Sequence, residues 1–410
     1  MTMRLRRRTA VAVLAATLLL ATPVATAQAL SGPAPAQAAS ATATATASAT
    51  ATVDELPRPT GPYAVGTEVL NLTDHDRPDP WVPEAGDREL MVSLYYPARH
   101  GRPGSTAPYM TIGEARMVLA NTGLEGTVPP SALSGLGTHA RTGARTAPGR
   151  FPLVLLSPGF GNPRATMTSL AEDLASRGYV VASVDHAYEA FGTELPDGRV
   201  LTCVACEKME SAPSDEAREE LGRLVSTGRS ADLSFVLDRL TGHRPAWKSS
   251  RMIDPRRVAV AGHSIGGSAA ASAMLEDPRF DAGINMDGRF QERVPASGLG
   301  ERPFMMLGTT SFHTPGGEDE SWDEGYQRLD GWKRWIGVAG SGHSSFTDVP
   351  VLEDRMGVTL DPSVTLSTDR QVRITRDYVG AFLDQHLRGR HQRLLDGPTP
   401  GNPEVVFQTR

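Results

Sequence analysis

The order of apolar and polar positions along the chain predicts strands that alternate with helices. Residues 151–156 and 179–184 are short, almost wholly apolar runs, which are typical of strands buried on both faces of a sheet. The segment between them is predicted to be a helix that has Asn162 as its cap and Pro163 as its first residue. Its apolar face is formed by Met167, Leu170, Ala171 and Leu174. Strand, helix and strand in this order predict a parallel pair.

The same pattern extends to both sides of this unit. Further strands are predicted at 63–72, 89–96, 280–286, 303–307 and 332–338. Further helices are predicted at 112–119, 214–226, 230–241 and 368–387. The dipeptide Asp197-Gly198 predicts the turn of a hairpin. We therefore expect an α/β fold with a mostly parallel sheet of about eight strands and helices on both faces.

Residues 257–275 join a predicted strand to an alanine-rich helix through the segment Gly262-His263-Ser264-Ile265-Gly266. A serine flanked in this way by glycines is typical of a nucleophile elbow, in which a sharp turn leaves no room for a Cβ and lifts the serine hydroxyl above the sheet. The pattern is short enough to occur by chance, so the strand and the helix around it carry the inference. Ser264 is the predicted nucleophile, and a glycine-rich turn without chemistry is the alternative.

A serine nucleophile needs a base and an orienting acid, which follow it along this kind of chain in the order acid, then histidine. Asp287 comes directly after the predicted strand 280–286, and His343 follows the last predicted strand. We expect His343 to take the proton of Ser264 and Asp287 to fix the tautomer of His343. The rival acids lie after the next strand: Glu318, Asp319 and Asp323.

Two backbone N–H groups are expected to bind the oxyanion that forms during acyl transfer. One is the amide of Ile265, directly after the nucleophile. The other is assigned to Phe160, in the loop Ser157-Pro158-Gly159-Phe160-Gly161 that follows the first buried strand. The remaining histidines near these segments, His186 and His263, are interpreted as structural.

Composition limits the classes of function. The chain has 410 residues, of which 40% are hydrophobic and 21% charged, and its formal net charge is −6. These values are typical of a soluble globular protein with a sizeable core, and without a basic patch they argue against nucleic-acid binding. We find no group of residues with the spacing of a metal site, and we expect no metal and no cofactor.

Residues 1–38 have the features of a secretory signal: arginines up to Arg8, an apolar run at 10–21, and Ala36-Gln37-Ala38 for cleavage. The run is shorter than the ~20 residues that span a membrane. Residues 39–56 are an Ala/Thr-rich low-complexity spacer, and 57–410 are expected to form one catalytic domain. We expect a secreted protein.

Two further features of the sequence are a pair of cysteines and a helix with an apolar side. Cys203 and Cys206 are the only cysteines, and an even number in an exported protein favours a disulfide between them. The helix predicted at 112–119 is expected to turn its apolar side to the core, and transient contact with a lipid surface is the alternative. Neither the bonding of the cysteines nor the oligomeric state follows from the sequence.

The chain resembles the secreted platelet-activating-factor acetylhydrolases and their bacterial relatives, a branch of the α/β-hydrolases. The likeness runs from about Val69 to Leu387. It rests on Leu94-Tyr95-Tyr96-Pro97, Gly159-Phe160-Gly161, residues 174–181, residues 262–267, Met286-Asp287 and residues 342–348. An acid placed directly after the strand that follows the elbow helix is the most specific of these features. The resemblance implies a metal-independent esterase that releases short acyl groups from the sn-2 position of phospholipids, with Asp287 as acid, His343 as base and Phe160 and Ile265 as oxyanion donors.

One position departs from this family. Pro158 stands where the family usually has a histidine, and Ser157-Pro158-Gly159-Phe160 resembles the loop of bacterial cutinases and polyester hydrolases. Small-molecule, lipid and polyester substrates therefore stay open. A cutinase-like or lipase-like esterase is the first alternative, and a non-catalytic binding protein of the same fold is the second.

Overall fold

The computed structural model describes residues 54–101 and 104–408. The predicted secretory signal at 1–38 and nearly all of the spacer at 39–56 lie outside the described residues. Over the described ranges, no helix is both long and apolar enough to cross a membrane.

The centre of the structure is a sheet of ten strands, and a two-stranded hairpin stands apart from it. The strands are β1 (Ala64–Pro78), β2 (Asp87–Ala98), β3 (Arg141–Thr142), β4 (Phe151–Ser157), β5 (Val180–Asp185), β6 (Thr193–Glu194), β7 (Val200–Leu201), β8 (Ile253–His263), β9 (Ala282–Met286), β10 (Phe304–Thr309), β11 (Lys333–Val338) and β12 (Val405–Gln408). Their order in the large sheet is β12-β11-β10-β9-β8-β4-β5-β2-β1-β3. The run from β11 to β5 is parallel, whereas β2, β1 and β12 join it through antiparallel pairs.

Helices cover both faces of this sheet. They are α1 (Ile112–Asn121), α2 (Pro130–Ser134), α3 (Thr168–Ser176), α4 (Val204–Glu210), α5 (Asp215–Thr241), α6 (Ile265–Glu276), α7 (Glu320–Arg328), α8 (Val349–Met356) and α9 (Thr368–Arg388). Leu153 and Val258 share a core with α5 and α6 on one face, while their neighbours Val154 and Ala259 share a second core with α3 and α9 on the other. This alternation explains why the central strands are apolar throughout, since both of their faces are buried.

The predicted α/β fold is confirmed, and three details of the prediction are wrong. The large sheet has ten strands rather than about eight, because it includes two short edge strands, β3 of two residues and β12 of four residues, that were not predicted. Asn162 and Pro163 do not begin the helix, since a 3-10 turn at Arg164–Met167 precedes α3. The helices predicted at 214–226 and 230–241 are the single helix α5.

The helix predicted at 112–119 and the hairpin near it also follow the sequence pattern. Helix α1 begins with a capping box formed by Thr111 and Glu114, and it buries Ala115 and Leu119 in a hydrophobic cluster. Ile112 remains exposed at its first turn. The turn at Asp197-Gly198 closes the hairpin of β6 and β7, as predicted. These segments flank the carboxyl ends of the parallel strands, where ligands bind in open α/β sheets.

Candidate active site

Ser264 occupies a sharp turn between β8 and α6. Its φ of 56° and ψ of −128° are unusual for a residue with a side chain, and its N–H donates to the carbonyl of Met286 at 2.8 Å. The flanking glycines are required by close packing: a Cβ on Gly262 would lie 2.1 Å from the carbonyl oxygen of Gly266, and a Cβ on Gly266 would lie 2.1 Å from that of Ser157. The turn therefore has the geometry expected of a nucleophile elbow.

His343 and Asp287 reach Ser264 from the ends of two other parallel strands. The Nε2 atom of His343 lies 2.9 Å from Oγ of Ser264, and its Nδ1 atom lies 2.6 Å from Oδ2 of Asp287. Asp287 directly follows β9, and His343 begins a 3-10 turn five residues after β11. The structure thus joins the three residues singled out in the sequence by two hydrogen bonds.

The carboxylate of Asp287 is fully enclosed. Its Oδ1 atom accepts a hydrogen bond from the N–H of Thr309 at 2.6 Å and lies 3.5 Å from Nε2 of His313. Burial acts to raise the pKa of Asp287, but the hydrogen bond from His343 and the nearby ring of His313 outweigh burial and hold that pKa below its usual value. Asp287 is therefore an anion at neutral pH, suited to orient His343 and to stabilise its protonated form.

The rival acids have other roles in the structure. Asp319 caps α7 by accepting from the N–H of Ser321 at 3.0 Å, and its other oxygen lies 3.3 Å from Nδ1 of His313. Asp323 accepts from the N–H of Gly316 at 2.9 Å. Among the described residues, the ring of His343 is hydrogen-bonded to Asp287 and Ser264 instead.

His313 is a site residue that the sequence analysis did not identify. Its buried ring stacks on Trp322 with ring centres 4.0 Å apart and lies between the carboxylates of Asp287 and Asp319. The only sequence signal is its position four residues after the end of β10. That position does not show which carboxylates the ring meets, because the answer depends on how α7 folds back on the sheet.

His263, interpreted as structural, lies directly behind His343. Its Nε2 atom is 2.7 Å from the carbonyl oxygen of His343, and the two rings are 4.6 Å apart. Burial and, to a smaller extent, the nearby His343 ring lower the pKa of His263 to about 3. The neutral ring of His263 thus donates a hydrogen bond that fixes the backbone of His343 without adding a charge beside it. His186, the other histidine interpreted as structural, is buried between Ser157 and Asp232.

The two predicted oxyanion donors lie on neighbouring segments. The side chains of Phe160 and Ile265 pack in one hydrophobic cluster, together with Trp81, Tyr188 and Ala205. Among the described residues, no carbonyl or side chain accepts a hydrogen bond from the N–H of Phe160, and the N–H of Ile265, at the first position of α6, has no partner within its helix. Both amides are therefore available to a ligand.

A disulfide between Cys203 and Cys206 lies beside this cluster. Cys203 caps α4, and Ala205, between the two cysteines, donates its N–H to the carbonyl of Tyr188 at 3.0 Å. The disulfide thus closes the first turn of α4, and the hydrogen bond from Ala205 connects that turn to Tyr188 in the wall of the site. No group of three or more His, Cys, Asp or Glu side chains within 54–101 and 104–408 is arranged to hold a metal ion.

Comparisons with known proteins match most of the chain. A family model described as platelet-activating factor acetylhydrolase, isoform II, matches residues 48–193 and 246–394. A probable 1-alkyl-2-acetylglycerophosphocholine esterase from Arthroderma benhamiae is 29% identical over 381 residues, which cover 86% of this chain and 93% of that protein. A platelet-activating factor acetylhydrolase from Canis lupus familiaris is 26% identical over 58% of this chain and 57% of its own length. A solved structure, the ferulic acid esterase from Streptomyces cinnamoneus, is 44% identical with a TM-score of 0.77 and covers 87% of this chain and 100% of its own.

Proposed function

The chain belongs to the family of platelet-activating factor acetylhydrolase, isoform II, and is a carboxylester hydrolase; from this premise we propose that it is an exported serine esterase that uses Ser264, His343 and Asp287 as a catalytic triad. The observation that carries the proposal is the chain of two hydrogen bonds, 2.9 Å from Ser264 to His343 and 2.6 Å from His343 to Asp287. A non-catalytic protein of this fold would have no need for these two linked hydrogen bonds at a strained turn.

In the first half of the reaction, Oγ of Ser264 attacks the ester carbonyl while Nε2 of His343 takes the serine proton. The N–H groups of Phe160 and Ile265 bind the oxyanion of the tetrahedral intermediate, and the buried anion of Asp287 stabilises the protonated ring of His343. His343 then gives its proton to the leaving alcohol, so that an acyl group remains on Ser264.

In the second half, water replaces the alcohol. His343 takes a proton from this water, the resulting hydroxide attacks the acyl carbonyl, and the same two amides stabilise the second oxyanion. Return of the proton to Oγ of Ser264 releases the carboxylic acid and restores the site.

The proposed substrate is an ester of a short acyl group, foremost an acyl group at the sn-2 position of a phospholipid. The support is the family match and the relative named as a probable 1-alkyl-2-acetylglycerophosphocholine esterase, which aligns over 93% of its own length. The position of Asp287 directly after β9 agrees with the family resemblance found in the sequence.

A second candidate substrate is an aromatic acyl ester such as a ferulate. It is favoured by the 44% identity to a protein named ferulic acid esterase. The half-buried rings of Phe160 and Tyr188 next to Ile265 support the same candidate, since aromatic side chains can pack against an aromatic acyl group.

A substrate panel with Ser264→Ala as the matched control tests both the mechanism and the substrate class. The panel compares 2-acetyl and 2-palmitoyl phosphatidylcholine with methyl ferulate and p-nitrophenyl esters of increasing chain length. We expect hydrolysis of the short acyl esters by the wild type and a loss on the order of 10⁴-fold or more in Ser264→Ala. A Ser264→Ala protein as active as the wild type would overturn the proposed triad. Preference for long acyl chains would favour the lipase-like alternative.

Export is tested separately by expressing the chain from Met1 in a bacterial host with a secretion pathway. We expect the active protein in the culture medium, with an amino terminus that follows Ala38. Activity that remains inside the cells with residues 1–38 attached would overturn the proposed secretion.

A further inference from the structure

The loop that carries Phe160 is hydrogen-bonded to a buried arginine. Arg229, in the middle of α5, is 1% exposed, and its Nη1 atom donates to the carbonyl oxygen of Pro158 at 2.5 Å. The same nitrogen lies 3.4 Å from Oγ of Ser157. A guanidinium thus contacts the two residues that lead into the oxyanion loop.

Other hydrogen bonds fix the far side of this loop. The carbonyl of Gly159 accepts from the N–H of Asn162 at 3.1 Å. Gly161 donates its N–H to the carbonyl of Glu189 at 2.9 Å and accepts from the N–H of Phe191 at 2.8 Å. The N–H of Phe160 lies between these anchored groups and is itself left without an acceptor among the described residues.

Glu189 links the two sides. Its carbonyl holds Gly161, and its side-chain Oε2 accepts from Nε of Arg229 at 2.6 Å. Burial acts to raise the pKa of Glu189, but the guanidiniums of Arg229 and Arg88 outweigh burial and hold that pKa below its usual value. Arg229, which binds the carbonyl of Pro158, is therefore itself oriented by Glu189, which binds the N–H of Gly161.

The loop needs such an external contact because of Gly159. A Cβ at this position would lie 2.8 Å from Nδ1 of His263, so the position excludes larger residues. Glycine also leaves the peptide planes on either side free to rotate. The carbonyl of Pro158 and the N–H of Gly159 belong to one rigid plane. The N–H of Phe160 belongs to the next plane, together with the carbonyl of Gly159 that accepts from Asn162. By holding the carbonyl of Pro158, Arg229 fixes the plane on the other side of Gly159. The two bonds together limit rotation at Gly159 and so set the direction of the Phe160 N–H.

We propose that Arg229 is a positioning residue that holds the oxyanion loop with the N–H of Phe160 directed at the reacting carbonyl. This inference rests on the proposed esterase function and on Phe160 as an oxyanion donor. Arg229 does not touch the substrate. It acts in the transition state, since the Phe160 amide gains most when the carbonyl oxygen becomes an anion.

The test compares Arg229→Lys and Arg229→Met with Arg88→Lys as a matched control. Arg88 is also 1% exposed and also bound to Glu189, at 3.1 Å, but the carbonyl that it contacts is that of Ala187 rather than one of the loop. Lysine keeps the charge but cannot contact Pro158 and Glu189 together as the guanidinium fork does. The readouts are kcat and KM per folded protein and the inhibition constant of a trifluoromethyl ketone, which forms a hemiketal oxyanion on the serine.

We expect both Arg229 variants to lose on the order of 10- to 100-fold in kcat, with KM nearly unchanged and with ketone inhibition weakened by a similar factor. Arg88→Lys should lower the melting temperature while the kcat of its folded fraction stays near the wild-type value. If Arg229→Met does not fold, Arg229→Lys decides by the same readouts.

Three results would overturn the proposal: unchanged kcat in a folded Arg229 variant, an equal loss of kcat in Arg88→Lys, or a lower kcat without weaker ketone inhibition. Failure of the underlying function would look different, because the wild type itself would then hydrolyse no ester or Ser264→Ala would keep full activity.

Discussion

At the scale of single residues, two of the four described non-glycine residues with a positive φ belong to the proposed triad. Ser264 and Asp287 both have a φ of 56°, in the region that non-glycine residues rarely adopt. Such conformations cost of order 1–3 kcal/mol and persist where the surroundings enforce them. The enforcing contacts at Ser264 are its bond to Met286 and the close approach of Gly266 to the neighbouring strand.

The first prediction compares two inactive variants of this serine. Ser264→Ala keeps the strain, whereas Ser264→Gly relieves it. We expect the Ser264→Gly protein to be more stable by about 1 kcal/mol in denaturant unfolding. Glu219, which is exposed on α5, serves as the control position. There the alanine variant should be more stable than the glycine variant, because alanine is the better residue within a helix. A Ser264→Gly protein less stable than Ser264→Ala would contradict the strain at this turn.

The second prediction concerns the acid. Asp287→Asn should lower kcat about 10⁴-fold with little change in fold, because asparagine keeps the shape but favours the wrong tautomer of His343. Asp319→Asn should lose far less, since Asp319 meets His313 rather than His343. Steady-state kinetics with a p-nitrophenyl ester distinguish them. A larger loss in Asp319→Asn would instead assign the acid to the position that is usual in lipases.

At this scale the sequence was sufficient to predict that Ser264, Asp287 and His343 lie together, because each follows a recognisable strand. It was not sufficient for His313 or Arg229. The contacts of His313 depend on how the α7 segment folds back, and those of Arg229 depend on the path of α5, which brings Arg229 to Pro158 across a separation of 71 residues. Long-range side-chain contacts of this kind leave no local pattern in the chain.

At the scale of elements, α5 is one helix in the structure, although the sequence pattern predicts two. Thr227, Gly228 and Arg229 interrupt the apolar face, and the pattern therefore predicts two helices. In the structure, Arg229 is buried against Glu189 and Pro158, and the helix runs through it for 27 residues. The buried ion pair offsets the weak helix propensity of glycine at this point.

The third prediction uses two glycines in helices. Gly228→Ala should raise the free energy of unfolding by about 0.5–1 kcal/mol, because a Cβ there meets nothing within 4 Å and alanine favours the helix. Gly266→Ala should lower both stability and activity, since its Cβ would lie 2.1 Å from the carbonyl of Ser157 and would push α6 away from the oxyanion loop.

Chemical denaturation and kcat measure both effects. An active Gly266→Ala protein of wild-type stability would mean that the elbow tolerates a wider gap from β4 than the structure indicates. A destabilised Gly228→Ala protein would mean that the middle of α5 is less regular than the structure indicates.

At the scale of the whole molecule, a buried carboxyl group near α8 couples stability to pH. Asp348 accepts from the N–H of Ser169 at 3.0 Å in the interface between the α8 and α3 segments. Burial raises the pKa of Asp348 to about 8, although the bond from Ser169 and the charge of Arg376 act against it. The folded protein therefore binds a proton at neutral pH that the unfolded chain releases.

The fourth prediction follows from the sign of this linkage. Because the pKa of Asp348 is higher in the folded protein than in the unfolded chain, its protonation contributes to the free energy of unfolding. This contribution is complete below the unfolded pKa, about 4, and is lost as pH rises through about 8. The wild type should thus lose up to about 1.4 kcal/mol per pH unit relative to Asp348→Asn between pH 5 and pH 8. Urea unfolding of both proteins across this range gives the difference. His263, whose depressed pKa has the opposite effect, is common to both and cancels. Parallel profiles would show that Asp348 is ionised in the fold.

The proposed catalytic pair of Ser264 and His343 faces solvent: the side chain of His343 is 56% exposed, and that of Ser264 is only partly buried. A substrate molecule dispersed in water can therefore meet Ser264 without first adsorbing to an aggregate. For a soluble short-chain phospholipid, the rate should rise with the monomer concentration and level off at the critical micelle concentration, without the jump in rate that activation by a surface would produce, because nothing at the exposed pair has to be displaced by a surface. The enzyme would then be limited by how much substrate leaves the aggregate as monomer, which favours the short and oxidised acyl chains that dissolve most readily.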